Sequence, residues 1–211
     1  TIWFTAILVG CIYLIWGIIY NQKPFNWKKQ PVLGWLANSM VGGLLFAVGW
    51  FVVMDNQLNY GTSALDMALF EYMFPYLLGF SSIALLTTLS ASQREIEAED
   101  KTSSILYGEI LTLLLSLSFI CVAFIFALHH GDPLASTAAL VSIPFFVFSV
   151  IRRFKKDVLR AIRYPILILN FFTLSIYPWL FIPLAITFYL SKYYYWHRFE
   201  LHYPTFLVDH D

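Results

Sequence analysis

The chain has 211 residues, of which 59% are hydrophobic and 12% charged, and its formal net charge is zero. A soluble domain of this length would have too little polar surface to cover itself, whereas a helical bundle that faces lipid needs little. The composition therefore excludes an ordinary soluble protein, and we expect membrane lipids, and no nucleic acid, as partners.

Six apolar runs predict an all-α, polytopic transmembrane bundle that forms a single domain. Most of them reach the roughly 20 residues that a helix needs to cross the hydrocarbon. The last run contains Pro165, Pro178 and Pro183, and we interpret it as one tilted, kinked helix because a full break would leave backbone groups unpaired in lipid. Two shorter half-helices are the alternative. The runs cover residues 2–20, 34–53, 67–90, 105–128, 134–151 and 164–190.

The basic residues predict how the bundle is oriented. Loops that stay in the cytoplasm carry the excess of lysine and arginine. If the six spans alternate, the first, third and fifth loops lie on one side and hold most of the basic residues, while the two opposite loops have none. We therefore expect an integral protein of the cell inner membrane or an equivalent membrane, with basic loops in the cytoplasm and the C-terminus on the opposite side.

Cysteine usage and the first residues of the chain carry two further expectations. Cys11 and Cys121 are the two cysteines of the sequence, and both lie inside predicted spans, which excludes a disulfide framework. The chain begins with Thr1, one residue before an apolar run, and shows no cleavable signal. We expect that some sequence upstream is missing.

The segment between the third and fourth spans is laid out like a catalytic motif. From Thr87 to Thr102 it reads TTLSASQREIEAEDKT. In frame and flanks it resembles the second aspartate-rich motif of the UbiA family of intramembrane prenyltransferases, typically TT-(I/L)-P-D-x-E-G-D-x-x-x-G-K-x-T. In this alignment the first motif aspartate falls on Ala91, a frequent acid on Gln93 and the second aspartate on Glu95. We expect a polar loop there with a degenerate motif.

Four further segments resemble the family in the same order along the chain. Residues 20–28 are similar to Y-S-x-x-P-x-x-x-K, and Phe74–Leu78 to part of the sixth helix. Thr102–Gly108 is similar to the T-x-x-x-x-x-G that opens the seventh helix, and Tyr193–Pro204 to the final Y-x-x-x-R-F-x-x-x-Y-P. The resemblance implies that the six spans are helices four to nine, so the N-terminal helices, with the family's N-D-x-x-D motif, are missing here.

The resemblance also implies what chemistry these motifs perform. Carboxylate clusters hold Mg²⁺, which binds an isoprenoid diphosphate and takes up charge as the diphosphate leaves. Mg²⁺ requires hard oxygen ligands, and Ala91 has none. No confident catalytic residue or cofactor therefore follows, and Mg²⁺ is expected only if the protein is active. A shifted metal site on Glu95 and Glu99, which share a face if the segment is helical, is the alternative.

Other polar residues have both a functional and a structural interpretation. Lys28 matches the family lysine that meets the diphosphate, but a lysine at this boundary is also expected from orientation alone. A basic run near the fifth loop is a candidate for binding anionic lipid headgroups or is explained by topology. It consists of Arg152, Arg153, Lys155 and Lys156.

Histidine and amide side chains add two smaller expectations. His129 and His130 are interpreted as a pair in a wet turn, with metal or pigment-magnesium ligation as the alternative. Asn38, Ser118 and Asn170 lie within spans, where hydrogen bonds between helices are expected.

Two functional hypotheses follow. The preferred one is a catalytically disabled UbiA-like protein, acting as a structural or tail-binding subunit of a larger membrane protein complex. Its hydrophobic interior would take an isoprenoid, quinone, carotenoid or chlorophyll tail. The alternative is an active Mg²⁺-dependent prenyltransferase that moves a polyprenyl or phytyl-type chain from its diphosphate to an aromatic or lipid acceptor. The methyl group of Ala91 cannot replace a metal ligand, which favours the first hypothesis.

Overall fold

The computed structural model describes residues 11–12, 15–20, 32–40, 43, 67–97 and 107–199, together with residues 22, 25, 27 and 30. All regular elements within these ranges are helices, so the predicted all-α fold class is confirmed. The long helices are α1 (Met67–Glu97), α2 (Glu109–His129), α3 (Pro133–Arg152), α4 (Lys155–Ile176) and, after a 3-10 turn at Pro178–Leu180, α5 (Phe181–Phe199).

Within the described part of the chain, four helices are long and apolar enough to cross a membrane. They are Leu69–Leu89 within α1 and the whole of α2, α3 and α4. The predicted spans 67–90, 105–128 and 134–151 coincide within a few residues with the first three. Spans 2–20 and 34–53 lie largely outside the described residues, although 15–20 and 32–40 are helical.

Helices α1 and α2 pack as an antiparallel pair. The rings of Phe74, near the start of α1, and Phe126, near the end of α2, meet edge to face with centroids 5.0 Å apart. Further along, Ser116 Oγ on α2 donates a hydrogen bond of 2.8 Å to the backbone carbonyl of Ser82 on α1. Short turns then fold α3 back on α2 and α4 back on α3, and α4 also contacts α1. The four helices therefore form a closed bundle.

Small residues allow these helices to approach closely. Ser82, Ser116, Ser142 and Ser149 are buried, and each hydroxyl donates to a backbone carbonyl, so burial leaves none of them unpaired. The apolar core contains one large ring, Phe146, among mostly aliphatic residues. Its members are Leu86, Leu113, Ile120, Ala139, Phe146, Val158 and Ala161. Because lipid is as apolar as this core, the shape of the packing holds the helices together more than hydrophobic burial does.

The helical segment 32–40 packs against α1 and α2. Trp35 Nε1 donates to the carbonyl of Ser81 on α1 over 3.2 Å, and its ring stacks on Phe119 of α2 with centroids 5.6 Å apart. One indole thus links three helical segments.

The predicted hydrogen bonds between helices form at one of three positions. Asn38 Nδ2 donates to the hydroxyl of Tyr20 over 3.3 Å, which confirms that prediction. The prediction is wrong for Ser118 and Asn170, which donate to carbonyls four residues back in their own helices. Such local bonding satisfies a lipid-facing polar group without any partner helix.

The last predicted span, 164–190, differs from the structure. In place of one kinked helix there are two, because the chain breaks at Tyr177 (φ −123°, ψ 74°), directly before Pro178. Proline disfavours helical geometry in the preceding residue. The freed backbone groups find partners: Tyr177 N–H donates to the carbonyl of Thr173, and Leu180 N–H donates to that of Tyr177. The break therefore leaves fewer unpaired groups than we expected.

The turn between α2 and α3 is held by Asp132. Its Oδ1 accepts from the backbone N–H groups of Leu134 (2.9 Å) and Ala135 (3.0 Å), which caps α3. The hydroxyl of Tyr76 on α1 also hydrogen-bonds to this carboxylate. Asp132 thus connects three helices at this end of the bundle.

We expect Asp132→Ala to lower the free energy of unfolding by about 1–2 kcal/mol, because the first turn of α3 loses its cap and the Tyr76 hydroxyl loses its acceptor. Thermal unfolding of the detergent-purified protein measures the loss. Asp132→Asn keeps a capping oxygen and is the matched control, expected to stay within about 0.5 kcal/mol of the wild type. An equal loss in both variants would contradict the assigned capping role.

Candidate functional site

One end of the bundle collects the segments that sequence analysis selected. Because α1 to α4 alternate in direction, the end of α1, the start of α2, the end of α3 and the start of α4 lie together; we call this the motif end. The degenerate motif and the basic run therefore share this end.

The degenerate motif is helical where the structure describes it. Helix α1 continues without interruption to Glu97, so the predicted loop over Thr87–Thr102 is wrong up to that residue. The family pattern has proline and glycine where this chain has Ser90 and Arg94, and without these two helix breakers the helix propagates.

Helical geometry fixes the register of the motif positions. Ala91 and Glu95 are four residues apart and lie on the same face of α1, whereas Gln93 lies on another. Glu99 and Lys28 lie outside the described residues. The structure therefore does not test the metal pair Glu95 and Glu99 or the diphosphate lysine.

The predicted basic loop is a turn of two residues. Arg152 ends α3, and Lys155 and Lys156 begin α4. Between them Arg153 takes a left-handed conformation (φ 54°), and its N–H donates to the carbonyl of Ser149 over 3.1 Å. All four basic residues of the run are exposed, as a headgroup site requires.

Aromatic rings position two of these cations. The guanidinium carbon of Arg152 lies 4.8 Å from the centre of the Phe148 ring, and Lys156 Nζ lies 5.5 Å from that of Phe154. Both distances are within the range of a cation–π interaction. Each of these two cations therefore interacts with a different aromatic ring.

Sequence analysis missed Asp157, an acid that directly follows the basic run. Its side chain is 3% exposed, and Oδ1 accepts a hydrogen bond of 3.0 Å from Arg160 Nη1. Its other oxygen, Oδ2, is buried and has no hydrogen-bond partner among the described residues. A lone acid among basic residues, three positions before an arginine, is the sequence signal that would have identified the pair.

A cavity of about 260 Å³ lies beside this carboxylate, between α3 and α4. Phe145 and Tyr164 meet edge to face in its wall, with centroids 4.8 Å apart. Three aromatic and three charged residues line it: Phe145, Phe148, Tyr164, Arg152, Asp157 and Arg160. The sequence pattern could not predict this cavity, because its walls come from two different helices, α3 and α4.

At the opposite end, His129 and His130 belong to an aromatic group. The rings of His130 and Tyr72 have centroids 5.5 Å apart, and Phe126 stacks on His130 at 6.3 Å. Among the side chains that the structure describes, no three of His, Cys, Asp and Glu come together. The two histidine rings thus pack against each other, and that of His130 also packs against the rings of Tyr72 and Phe126.

Comparison with known proteins decides the family. The model of the UbiA prenyltransferase family matches residues 2–176, more than four fifths of the sequence. The chain belongs to the UbiA prenyltransferase family. No curated protein sequence and no solved structure matches it. Family membership and the four long apolar helices together make it an integral membrane protein.

The extent of the match bears on the segments compared above. Residues 20–28, Phe74–Leu78 and Thr102–Gly108 lie inside it. The segment Tyr193–Pro204 lies beyond residue 176, so its resemblance to the UbiA family stays a prediction.

The UbiA family implies Mg²⁺, and the residues of α1 can be compared with that requirement. A site built on the two motif positions needs an oxygen ligand at each. Ala91 supplies a methyl group and Glu95 a carboxylate, so this face of the described helix offers one ligand where the family motif offers two. These two positions do not fit the family's metal site, and we derive no catalytic step through a metal.

Proposed function

We propose that this UbiA-family protein has lost prenyl transfer and acts as a structural or tail-binding subunit of a membrane protein complex. The observation that carries the proposal is Ala91 at the first motif position of a continuous helix. In a loop, a neighbouring acid could move into the place of the lost aspartate. On α1, Gln93 and Glu97 are each two positions away from Glu95, so they lie on other faces of the helix.

The surface of the bundle supports the second half of the proposal. Large apolar side chains are exposed along the described helices, including Ile125 on α2 and Phe171 on α4. Helix α5 contacts the preceding 3-10 turn and exposes Tyr189, Leu190 and Trp196. Lipid, a partner helix or the tail of an isoprenoid, quinone, carotenoid or chlorophyll suits such surfaces.

An active Mg²⁺-dependent prenyltransferase is the second candidate, and Glu95 favours it. This residue keeps one carboxylate on the motif face, at the end of the bundle that also carries the basic residues. Activity would require further ligands from outside the described residues.

Prenyl transfer by the full-length protein tests the proposal. With Mg²⁺, polyprenyl and phytyl diphosphates and aromatic acceptors, we expect no turnover above that of a Glu95→Gln variant. The lipid extract of the purified protein is expected to contain an isoprenoid-type tail, detected by mass spectrometry, or the protein to copurify stoichiometrically with a partner. Wild-type turnover that EDTA abolishes would overturn the proposal.

A pair of variants separates the lost ligand from other defects. Ala91→Asp with Glu95→Asp restores both acids on the motif face, while Ser90→Asp with Glu95→Asp adds the same charge off that face. If the motif alone is at fault, only the first variant gains Mg²⁺-dependent turnover. Gain in the second variant as well would show that charge, and not the motif geometry, limits activity.

We also propose that the basic motif end faces the cytoplasm and that the C-terminus lies on the opposite side. The concentration of lysine and arginine at this end supports the orientation. Labelling by a membrane-impermeant maleimide in spheroplasts tests it, with single cysteines introduced at Arg153 and at Asp211 in a Cys11→Ser, Cys121→Ser background. We expect labelling at 211 alone; labelling at 153 would contradict the orientation.

A further inference from the structure

We propose that the cavity between α3 and α4 binds a phosphate ester that carries a hydrogen-bond donor, in the form of a phospholipid headgroup. Arg152 and Arg160 would bind the phosphate, and Asp157 would accept from the donor. Of the four basic residues predicted to bind headgroups, the proposal retains Arg152. It adds Asp157 and Arg160, which lie outside the basic run. It does not depend on whether the protein catalyses prenyl transfer.

The buried carboxylate of Asp157 requires a donor. One of its oxygens is paired with Arg160, and the other is buried without a partner among the described residues. Leaving a buried acceptor unsatisfied costs about 1–3 kcal/mol, and more for a charged group. Because Asp157 lines the cavity, a small rotation of its carboxylate toward a hydroxyl or ammonium group bound there would give this oxygen a donor and remove that cost.

The two arginines provide a binding site for an anion. Arg160 uses one N–H on Asp157, and a guanidinium has five. Arg152 adds a second guanidinium in the wall of the same cavity. With one carboxylate and two guanidinium groups the cavity carries a formal charge of +1, which complements a singly charged phosphodiester. Arginine forms bidentate hydrogen bonds to phosphate more readily than lysine does.

The position of the cavity favours a lipid as the source of the phosphate. It lies where the apolar helix α3 ends, next to Ile151, whose side chain is 70% exposed, and to the exposed ring of Phe154. Its volume of about 260 Å³ is about nine times the volume that one water molecule occupies in the liquid, enough for a small headgroup. Acyl chains could then follow the exposed apolar side chains into the bilayer.

The donor requirement makes the site selective. Phosphoethanolamine has N–H groups and phosphoglycerol has O–H groups that can donate a hydrogen bond to Asp157. The trimethylammonium group of phosphocholine has no such donor. A charge-assisted hydrogen bond is lost with choline, which corresponds to roughly a tenfold weaker affinity or more.

Native mass spectrometry of the full chain with short-chain lipids tests the proposal. We expect phosphatidylethanolamine and phosphatidylglycerol to bind about tenfold more tightly than phosphatidylcholine. Asp157→Asn is expected to reduce this preference and Asp157→Ala to abolish it. Arg152→Gln should weaken all three lipids, while Arg153→Gln, the adjacent residue outside the cavity, should leave them unchanged.

The wild-type comparison needs no variant, so a misfolded mutant does not affect it. Equal binding of ethanolamine and choline lipids by the wild type would overturn the proposal, as would equal losses in Arg152→Gln and Arg153→Gln. Soluble phosphoethanolamine is the arm that separates the two sources of phosphate. If soluble phosphoethanolamine at millimolar concentration does not displace the lipid, the result supports a lipid headgroup as the ligand. If it displaces the lipid with an affinity equal to that of the lipid, that assignment is overturned.

Discussion

Replacing Phe146 by alanine is expected to lower the free energy of unfolding by about 3–5 kcal/mol, the range for removing a buried aromatic ring. Phe146 is fully buried and is the largest fully buried side chain among the described residues. It lies in the core cluster with residues of α1, α2 and α4, so truncation leaves a void that three helices would have to fill. Unfolding in mixed micelles at increasing SDS fraction measures the change.

Phe171→Ala on α4 is the matched control for this variant. Its ring is 66% exposed, so truncation removes few packing contacts, and we expect a change below about 1 kcal/mol. If both variants lost the same amount, contact with detergent and not helix packing would explain the effect of the ring.

Replacing Ser116 by leucine is expected to cost about 2–4 kcal/mol. The buried hydroxyl of Ser116 donates to the backbone of Ser82 on the facing helix, which places the two backbones close together. Leucine removes a hydrogen bond worth about 0.6–1.7 kcal/mol in a membrane bundle. It also forces extra volume into a packed interface, at a further cost of about 1–3 kcal/mol.

Two further variants separate these contributions under the same unfolding conditions. Ser116→Ala removes the hydrogen bond without adding volume and is expected to cost about 0.6 kcal/mol. Ser118→Leu makes the same replacement two residues later, where the side chain is exposed and bonds within α2, and should be nearly neutral. A large loss in Ser118→Leu would contradict the assignment of the α1–α2 interface.

Hydropathy predicted the helices that are uniformly apolar. The runs at 105–128 and 134–151 became α2 and α3 almost unchanged, because length and composition suffice to specify a helix in lipid. Hydropathy failed to predict helical segments that are polar. Helix α4 begins at Lys155, nine residues before the predicted span, because its first turns are basic and still helical.

Two other differences have local causes that the sequence contains. Ser90 and Arg94 replace the residues that would have ended α1, so the motif stays helical. Pro178 divides the last apolar run, and the bonds that repair the break depend on the following 3-10 turn.

The candidate site was only partly predictable. Family resemblance located Ala91 and Glu95, because a motif is a local pattern. The burial of Asp157 and the cavity beside it depend on α3 meeting α4, and Arg152 and Arg160 are eight residues apart. The sequence pattern grouped Arg152 with three basic neighbours as one candidate headgroup site. Of these four residues, Arg152 alone lines the cavity.

The contact between α1 and α4 determines the order in which this bundle can be completed. Among the described helices, α2 and α3 each pack on a chain neighbour, so both can dock as soon as they emerge from the ribosome. Leu86 of α1 meets Val158 and Ala161 only after α4 has been synthesised. A nascent chain that stops before Lys155 therefore leaves this face of α1 uncovered. The face is covered only when α4 is made, some sixty residues after the end of α1, and until then it can pack against wrong partners.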